Sequence, residues 1–208
     1  MSELFSSTAP VLDVDRLTNA YSYAAYRQRL DELMAQNLTT GTTQTDQIIQ
    51  YARLNIQRMQ RLDKTIKLLP EIQQALNDLS LGYEWLVITE GWCGDAAQIV
   101  PVLEAVAQAS QGKISTHYML RDENLDLMDR YLTHGSRAIP KLVVLHTETL
   151  TEAATWGPRP VPAQELFARL KQKDVPYEEF VTQLHGWYAK DHTLSTQHEL
   201  AAVLQRLR

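Results

Sequence analysis

The segment that decides the fold reads Thr89-Glu90-Gly91-Trp92-Cys93-Gly94-Asp95-Ala96. It follows a short apolar run at residues 85–89, which is typical of a strand buried on both faces of a sheet. It precedes a helical pattern over residues 94–110, which Pro101 is expected to kink. In open α/β sheets, active sites collect where a strand ends and a helix begins. Cys93 would therefore lie on a first helical turn, where unpaired backbone N–H groups and the helix dipole favour a thiolate, the reactive form of cysteine.

Further elements follow this segment in an alternating order. Strands are predicted at Ile114–Leu120, Lys141–His146 and Glu152–Trp156, and helices at residues 122–134 and 163–171. Together with the first strand and helix, this gives the order β-α-β-α-β-β-α. Such an order predicts an α/β fold with a central mixed sheet that contains a parallel pair and is covered by helices.

Helical patterns also precede and follow this core. Residues 22–36 show one such pattern, and Thr43 is predicted to cap a second, long helix that ends near Leu69. A short helix is expected to begin at Pro70, and the chain after Asp174 has helical spacing again. Five cations of the long helix are predicted to form a solvated face opposite its apolar stripe: Arg53, Arg58, Arg61, Lys64 and Lys67.

These patterns divide the chain into three predicted parts. They are an N-terminal arm and helical extension over residues 1–80, an α/β core over residues 81–173 and a C-terminal helical extension over residues 174–208. Residues 1–14 have no clear period and are predicted to be a loose arm.

The composition excludes several classes of protein. The chain has 208 residues, a net charge of −5 and no basic arm, so we expect no binding to nucleic acid. Its single cysteine excludes an intramolecular disulfide. The sequence does not open with a signal-peptide pattern, and no apolar stretch reaches the length of about 20 residues that spans a bilayer, so we expect a cytoplasmic protein without a membrane partner. The six histidines have no metal-binding spacing, so no metal site is predicted.

Several motifs occur in an order that resembles the thioredoxin superfamily. They are Trp92-Cys93-Gly94-Asp95 after a strand, the kinking Pro101, Ala138-Ile139-Pro140 before a strand, and Gly157 after the next strand. The resemblance covers about residues 81–172, and the whole chain is similar to bacterial thioredoxin family proteins. It implies a thioredoxin-like fold with N- and C-terminal helical extensions. It also implies that Ile139-Pro140 is a cis peptide that faces Cys93 and offers its backbone to an extended peptide or to glutathione.

The chain departs from the Cys-x-x-Cys pattern of that superfamily, because Ala96 stands where the second cysteine would be. A methyl group cannot resolve a mixed disulfide, so the chemistry that remains is monothiol exchange. Its partner would be a protein thiol or disulfide, or glutathione as a co-substrate, with no other cofactor. Two alternatives stay open. One is a non-catalytic protein-binding module, and the other is a carrier of a glutathione-linked iron–sulfur cluster.

The candidate site centres on Cys93 as an accessible nucleophile. Because the Asp95 carboxylate opposes a thiolate about as strongly as the helix dipole favours it, the expected Cys93 pKa is near the free value of about 8.5. The candidate binding residues surround this thiol: Trp92, Gly94, Asp95, Arg121, Arg137, Ile139, Pro140, Trp156 and Arg159. The proline-rich stretch at residues 156–162 is read either as a rigid rim of the groove or as a stiff connector to the next helix.

Overall fold

The computed structural model describes residues 9–207, and these fold around a four-stranded sheet in the order β2-β1-β3-β4. The strands are β1 (Tyr83–Thr89), β2 (Ile114–Leu120), β3 (Lys141–His146) and β4 (Glu152–Trp156). Strand β1 pairs parallel with β2 and antiparallel with β3, which in turn pairs antiparallel with β4. The sheet is thus mixed and contains one parallel pair, as the order of elements predicts.

Helices surround this sheet. They are α1 (Val14–Thr18), α2 (Tyr23–Ala35), α3 (Asp46–Thr65), α4 (Pro70–Asp78), α5 (Gly94–Ala109), α6 (Leu125–Met128), α7 (Val161–Gln172), α8 (Tyr177–Asp191) and α9 (Leu194–Gln205). Among residues 9–207, no helix is long and apolar enough to cross a membrane.

The core forms where the central strands meet helices from both extensions. Residues 85–88 of β1 and 142–145 of β3 are fully buried, which agrees with their continuous apolar sequence. Helix α3 packs against α5, and α4 packs against α9. The flanking helices therefore bury their apolar faces on the α/β core and share one hydrophobic core with it.

The long helix begins later than its sequence predicts. Its cap is Thr45, whose hydroxyl accepts the Ile48 N–H at 3.4 Å, and the predicted cap Thr43 lies in the preceding loop. The side chain of Gln44 explains the shift. It exchanges hydrogen bonds with the backbone of Thr39 at 2.9 and 3.0 Å and also donates to the carbonyl of Gly41, which holds the loop out of helical geometry.

The predicted helix over residues 122–134 is wrong for most of its length. The chain there forms a single 3-10 turn at Arg121–Glu123 and then the short α6. Its remaining residues form turns, with Thr133 and Ser136 exchanging backbone hydrogen bonds. No side chain caps α6, so one turn of helix lacks the stabilisation needed for it to continue. The irregular stretch leads the chain back to the edge of the sheet before β3.

The predicted loose arm is also partly wrong. Val11 and Leu12 are buried, and the Val11 N–H donates to the carbonyl of Leu150 at 2.8 Å. Asp13 then caps α1 by accepting the Arg16 N–H. Residues 1–8 of the arm lie outside the described residues.

Gly157, directly after β4, lies close to the backbone of Pro140. Its φ is +110°, and a Cβ there would lie 2.4 Å from the carbonyl oxygen of Pro140. We expect Gly157→Ala to lower the free energy of unfolding by about 2–4 kcal/mol, because it adds both backbone strain and a clash with backbone. Urea denaturation of the full chain measures the change.

Gly186 provides the matched control for this substitution. It lies within α8, where an added Cβ meets nothing within 4 Å. Gly186→Ala should raise the free energy of unfolding by about 0.5–1 kcal/mol, as expected for glycine in a helix. Equal midpoints for Gly157→Ala and the wild type would contradict the close approach described for Gly157.

Candidate active site

The thiol of Cys93 lies where β1 ends and α5 begins. Cys93 is the N-cap residue of α5, and its sulfur accepts the Ala96 N–H at 3.5 Å. The same sulfur donates to the carbonyl oxygen of Ile139 at 3.3 Å. The Ile139–Pro140 peptide bond is cis. The structure thus places the cysteine and the proline turn in direct contact across the end of the sheet.

The turn that carries Cys93 is held by residues before the α/β core. The Gly91 N–H donates to the Thr40 hydroxyl at 2.8 Å, and the Asn55 amide of α3 donates to the Gly91 carbonyl at 3.1 Å. From within the core, the Asp122 N–H after β2 donates to the buried carboxylate of Glu90, the residue before Gly91, at 2.9 Å. These bonds satisfy buried backbone groups that an isolated turn would leave unpaired.

A pocket of about 270 Å³ opens beside the thiol. Its walls come from the Cys93 turn, the cis-proline loop, the loop after β4, and helices α3, α7 and α8. The lining residues are Tyr51, Asn55, Arg58, Trp92, Cys93, Gly94, Asp95, Arg121, Arg137, Ala138, Ile139, Arg159, Phe167, Tyr177, Phe180, Val181, Leu184 and His185. Helices outside the predicted α/β core therefore contribute a large part of the site.

Most residues singled out from the sequence line this pocket. They are Trp92, Cys93, Gly94, Asp95, Arg121, Arg137, Ile139 and Arg159. Pro140 is buried behind Ile139. Trp156 lies elsewhere: it is 8% exposed, and its indole N–H donates to Glu199 of α9 at 2.7 Å. Its ring therefore stabilises the packing of β4 on α9, and the predicted contact surface at Trp156 is not available to a ligand.

The three predicted arginines converge on the pocket, and each has a carboxylate partner. Arg121 pairs with Asp122 at 2.8 Å and lies over the Trp92 ring. Arg137 pairs with Asp129 at 2.6 Å. Arg159 of the proline-rich stretch pairs with Asp95 at 2.6 Å and lies 3.8 Å from the centre of the Phe167 ring. That stretch is thus both a wall of the pocket, through Arg159, and the start of α7 at Val161.

Sequence reasoning misplaced Arg58, which was predicted to belong to a solvated face. Arg58 is half-buried, lines the pocket and donates to the Asn55 side chain at 2.7 Å. The available signal was Asn55 itself, because this polar residue lies among the buried apolar residues Ala52, Ile56 and Met59 of α3. A polar residue on a buried face needs a partner.

The thiol is far less acidic and less accessible than the sequence predicts. Cys93 is 7% exposed. Burial, and then the negative charge of Asp95, raise the pKa of the Cys93 thiol to about 12, against the opposing effects of the Ala96 N–H and Arg159. The prediction balanced Asp95 against the helix dipole and was wrong because it omitted the desolvation that the covering helices impose.

Asp95 belongs to a buried network that reaches α8. Burial raises the pKa of the Asp95 carboxyl, whereas Arg159 and the hydroxyl of Tyr188 favour its charged form. The Tyr188 hydroxyl donates to Asp95 at 2.7 Å. The covering helix α8 is therefore tied by a hydrogen bond to the charge that most directly opposes ionisation of Cys93.

Comparisons with known proteins agree with the fold described above. A family model described as thioredoxin matches residues 41–172, a span that includes α3 and α4 as well as the sheet. A thioredoxin from Pseudomonas aeruginosa is 42% identical over 53 residues, which cover 26% of this chain and 46% of that protein. Thioredoxin 1 from a Nostoc species is 36% identical over 53 residues, which cover 26% of this chain and 47% of that protein. The chain thus spans about half the length of the curated relatives that it matches.

Two solved structures have a similar fold over nearly the whole chain. One is an HIV epitope scaffold, with a TM-score of 0.59 and 16% identity over 93% of this chain and 98% of that chain. The other is a protein of unknown function from Pseudomonas aeruginosa, with a TM-score of 0.55 and 17% identity over 89% of this chain and 98% of that chain. At such identities the likeness concerns the fold alone. Its coverage places the flanking helices within that shared fold.

Removing the charge of Asp95 tests whether this carboxylate helps to suppress ionisation of the Cys93 thiol. In Asp95→Asn the negative charge beside Cys93 is lost, so the pKa of the thiol falls and more thiolate is present at a given pH. We expect the rate of Cys93 alkylation by iodoacetamide at about pH 8 to rise about threefold to tenfold. Asp129→Asn removes a carboxylate that pairs with Arg137 at the surface, and it should change the rate less than about twofold. Equal rates for the two variants would contradict the role assigned to Asp95.

Proposed function

Because this chain belongs to the thioredoxin family, we propose that it carries out monothiol exchange through Cys93 on a small disulfide that bears carboxylates, such as glutathione disulfide. The observation that carries this proposal is the pocket itself. The Cys93 sulfur forms part of the wall of a pocket that is also lined by four arginines and one carboxylate, that of Asp95. The pocket thus combines a thiol with one guanidinium, that of Arg58, that has no ion-pair partner within residues 9–207, because the other three arginines pair with carboxylates.

The reaction balances without a second cysteine. The Cys93 thiolate attacks one sulfur of glutathione disulfide, a Cys93–glutathione disulfide forms, and the departing thiolate takes up the proton that Cys93 lost. The thiolate of a different small thiol then attacks the glutathione sulfur of this adduct, a new mixed disulfide leaves, and Cys93 takes up a proton and is released as the thiol. The net reaction transfers one glutathione unit from glutathione disulfide to that second thiol. Ala96 supplies no resolving thiol, so this second step requires an external one.

The shape of the site favours a small partner over an extended protein segment. A volume of about 270 Å³ is close to the lower end of the range of about 300–1,000 Å³ that is usual for small-molecule pockets. The Ile139 carbonyl, which a peptide would use, already accepts the Cys93 thiol, and Ile139 is 5% exposed. Residues of α8 also line the pocket, so this helix borders the space beside the thiol. Attack by Cys93 breaks its bond to Ile139 with either partner, but a protein client would also have to displace α8, whereas a small disulfide can enter the pocket.

The buried thiol also determines the expected rate. With a pKa of about 12, about one Cys93 in 100,000 is ionised at neutral pH. Exchange should therefore be slow in the resting state and should accelerate with pH. Glutathione is the main small thiol of reducing compartments, which fits the cytoplasmic location expected from the sequence.

A second candidate function is binding without redox chemistry. The observation that favours it is the same raised pKa, because a neutral thiol bonded to the Ile139 carbonyl acts as a packing group and a weak donor. In this case the pocket holds an anionic ligand and Cys93 forms no covalent bond. The two functions differ in whether a mixed disulfide forms.

Incubation of the full chain with glutathione disulfide separates them. We expect a single glutathione adduct by intact-protein mass spectrometry, with a rate that rises about tenfold for each pH unit between about pH 7 and about pH 10. The rise follows because this whole interval lies below a thiol pKa of about 12, so the thiolate fraction increases throughout it. Cys93→Ser should form no adduct under any of these conditions.

Two results of the pH experiment would contradict this expectation. A rate that levels off near about pH 8.5 would mean that the Cys93 thiol ionises like a free cysteine, against its burial in the structure. No adduct up to about pH 10, with binding of glutathione retained, would favour the binding function and refute exchange.

A further inference from the structure

We propose that Arg58 of α3 and His185 of α8 form a carboxylate-binding subsite beside Cys93. The inference rests on the proposed function for the identity of the ligand, and it assigns the residues that recognise it. Neither residue lies in the α/β core predicted from the sequence. Both line the same pocket as the thiol.

Arg58 differs from the other arginines of the pocket in having no carboxylate partner. Within residues 9–207, no Asp or Glu oxygen lies within 4.0 Å of its guanidinium, whereas Arg121, Arg137 and Arg159 each form an ion pair. Arg58 is half-buried, and its guanidinium donates to the neutral side chain of Asn55 at 2.7 Å. Partial burial of a guanidinium without an anion costs free energy. A bound carboxylate would offset this cost by forming charge-assisted hydrogen bonds to Arg58.

Asn55 fixes the position of this cation relative to the thiol. Its side-chain oxygen accepts from Arg58 at 2.7 Å, while its amide nitrogen donates to the Gly91 carbonyl at 3.1 Å. Gly91 lies two residues before Cys93. The guanidinium is therefore linked through one buried side chain to the turn that carries the sulfur. Such support keeps a binding group oriented before the ligand arrives.

His185 of α8 adds an N–H donor to the lining of the same pocket. Its Nδ1 lies 3.2 Å from the amide nitrogen of Gln98. Because an amide nitrogen can only donate, Nδ1 is the acceptor. Burial, and then the charge of Arg58, lower the pKa of His185 to about 4, so the neutral ring carries its proton on Nε2. That atom lies against Gly94, where an added Cβ would approach it within 2.7 Å.

These groups favour a carboxylate over other ligand chemistries. A planar guanidinium matches the two oxygens of a carboxylate, and a neutral N–H donor adds a hydrogen bond without a further charge. A cation would be repelled by Arg58, which lines the pocket and forms no ion pair within residues 9–207. Glutathione belongs to the small thiols that carry two carboxylates, and its carboxylates lie several bonds away from its sulfur. The subsite would thus orient the ligand so that its sulfur faces Cys93.

Binding of an unreactive probe tests the subsite apart from the exchange reaction. The full-length Cys93→Ser chain is titrated with S-methylglutathione, which carries the carboxylates and no reactive thiol, and Kd is measured by calorimetry. Adding Arg58→Gln should raise Kd about tenfold to a hundredfold through loss of one charge-assisted contact. Adding His185→Phe, which keeps a ring without the N–H, should raise it about threefold to tenfold.

Arg61→Gln is the matched control. Arg61 lies one turn further along α3, is exposed and does not line the Cys93 pocket. Its removal should change Kd less than about twofold, because Arg61 is exposed to solvent and does not contact a ligand bound in the pocket. Equal weakening by Arg58→Gln and Arg61→Gln would refute the subsite and leave only a general electrostatic attraction. Inorganic phosphate is tested as a competitor, and displacement of the probe by phosphate at a lower concentration than by acetate would overturn the preference for a carboxylate.

The variant Arg58→Lys provides a second test in case Arg58→Gln does not fold. Lysine keeps the charge but not the planar fork, so a folded Arg58→Lys chain should bind about threefold to tenfold more weakly than its parent. Unchanged binding by that variant, or no binding of the probe to the Cys93→Ser parent, would refute the proposal. Binding that depends on Arg58 in a protein that forms no glutathione adduct would support the subsite and refute the exchange function.

Discussion

The two hydrogen bonds to the backbone of Gly91 fix the geometry of the whole site. Thr40 accepts from its N–H, Asn55 donates to its carbonyl, and Leu30 fills the space where a side chain would be. All three partners precede the α/β core. The position of the Cys93 turn is therefore determined by the N-terminal helices as much as by the sheet. Because Asn55 also holds Arg58, one buried amide positions both the turn of the sulfur and a cation of the pocket.

The state of the thiol is decided by desolvation. The rise of the Cys93 pKa from 9.0 to about 12 corresponds to about 4 kcal/mol in favour of the neutral form. The dipole of α5 supplies about 0.3–2 kcal/mol in the other direction, so it cannot compensate. A cysteine at a helix N-terminus is commonly acidic when it is solvated. Here the helices that cover the turn outweigh the favourable position of the residue on its own helix.

Sequence alone could predict the sheet, the position of Cys93 and the approach of Arg121, Arg137 and Arg159, because each depends on short apolar runs and on the edge where strands end. It could not predict the burial of the sulfur, which requires α8 to fold back over a residue about 90 positions earlier. The prediction of a helix over residues 122–134 was wrong for a related reason. Its composition suited a helix, but uncapped short helices depend on tertiary contacts that local patterns do not contain.

The bond from Tyr188 to Asp95 means that access and acidity change together. If α8 moves away from the core, water reaches the sulfur at the same moment as Asp95 loses the hydrogen bond that favours its charged form. Hydration then relieves the cost of a charged sulfur, which is the largest contribution to its weak acidity. A single displacement would thereby both expose the sulfur to solvent and lower the pKa of the thiol.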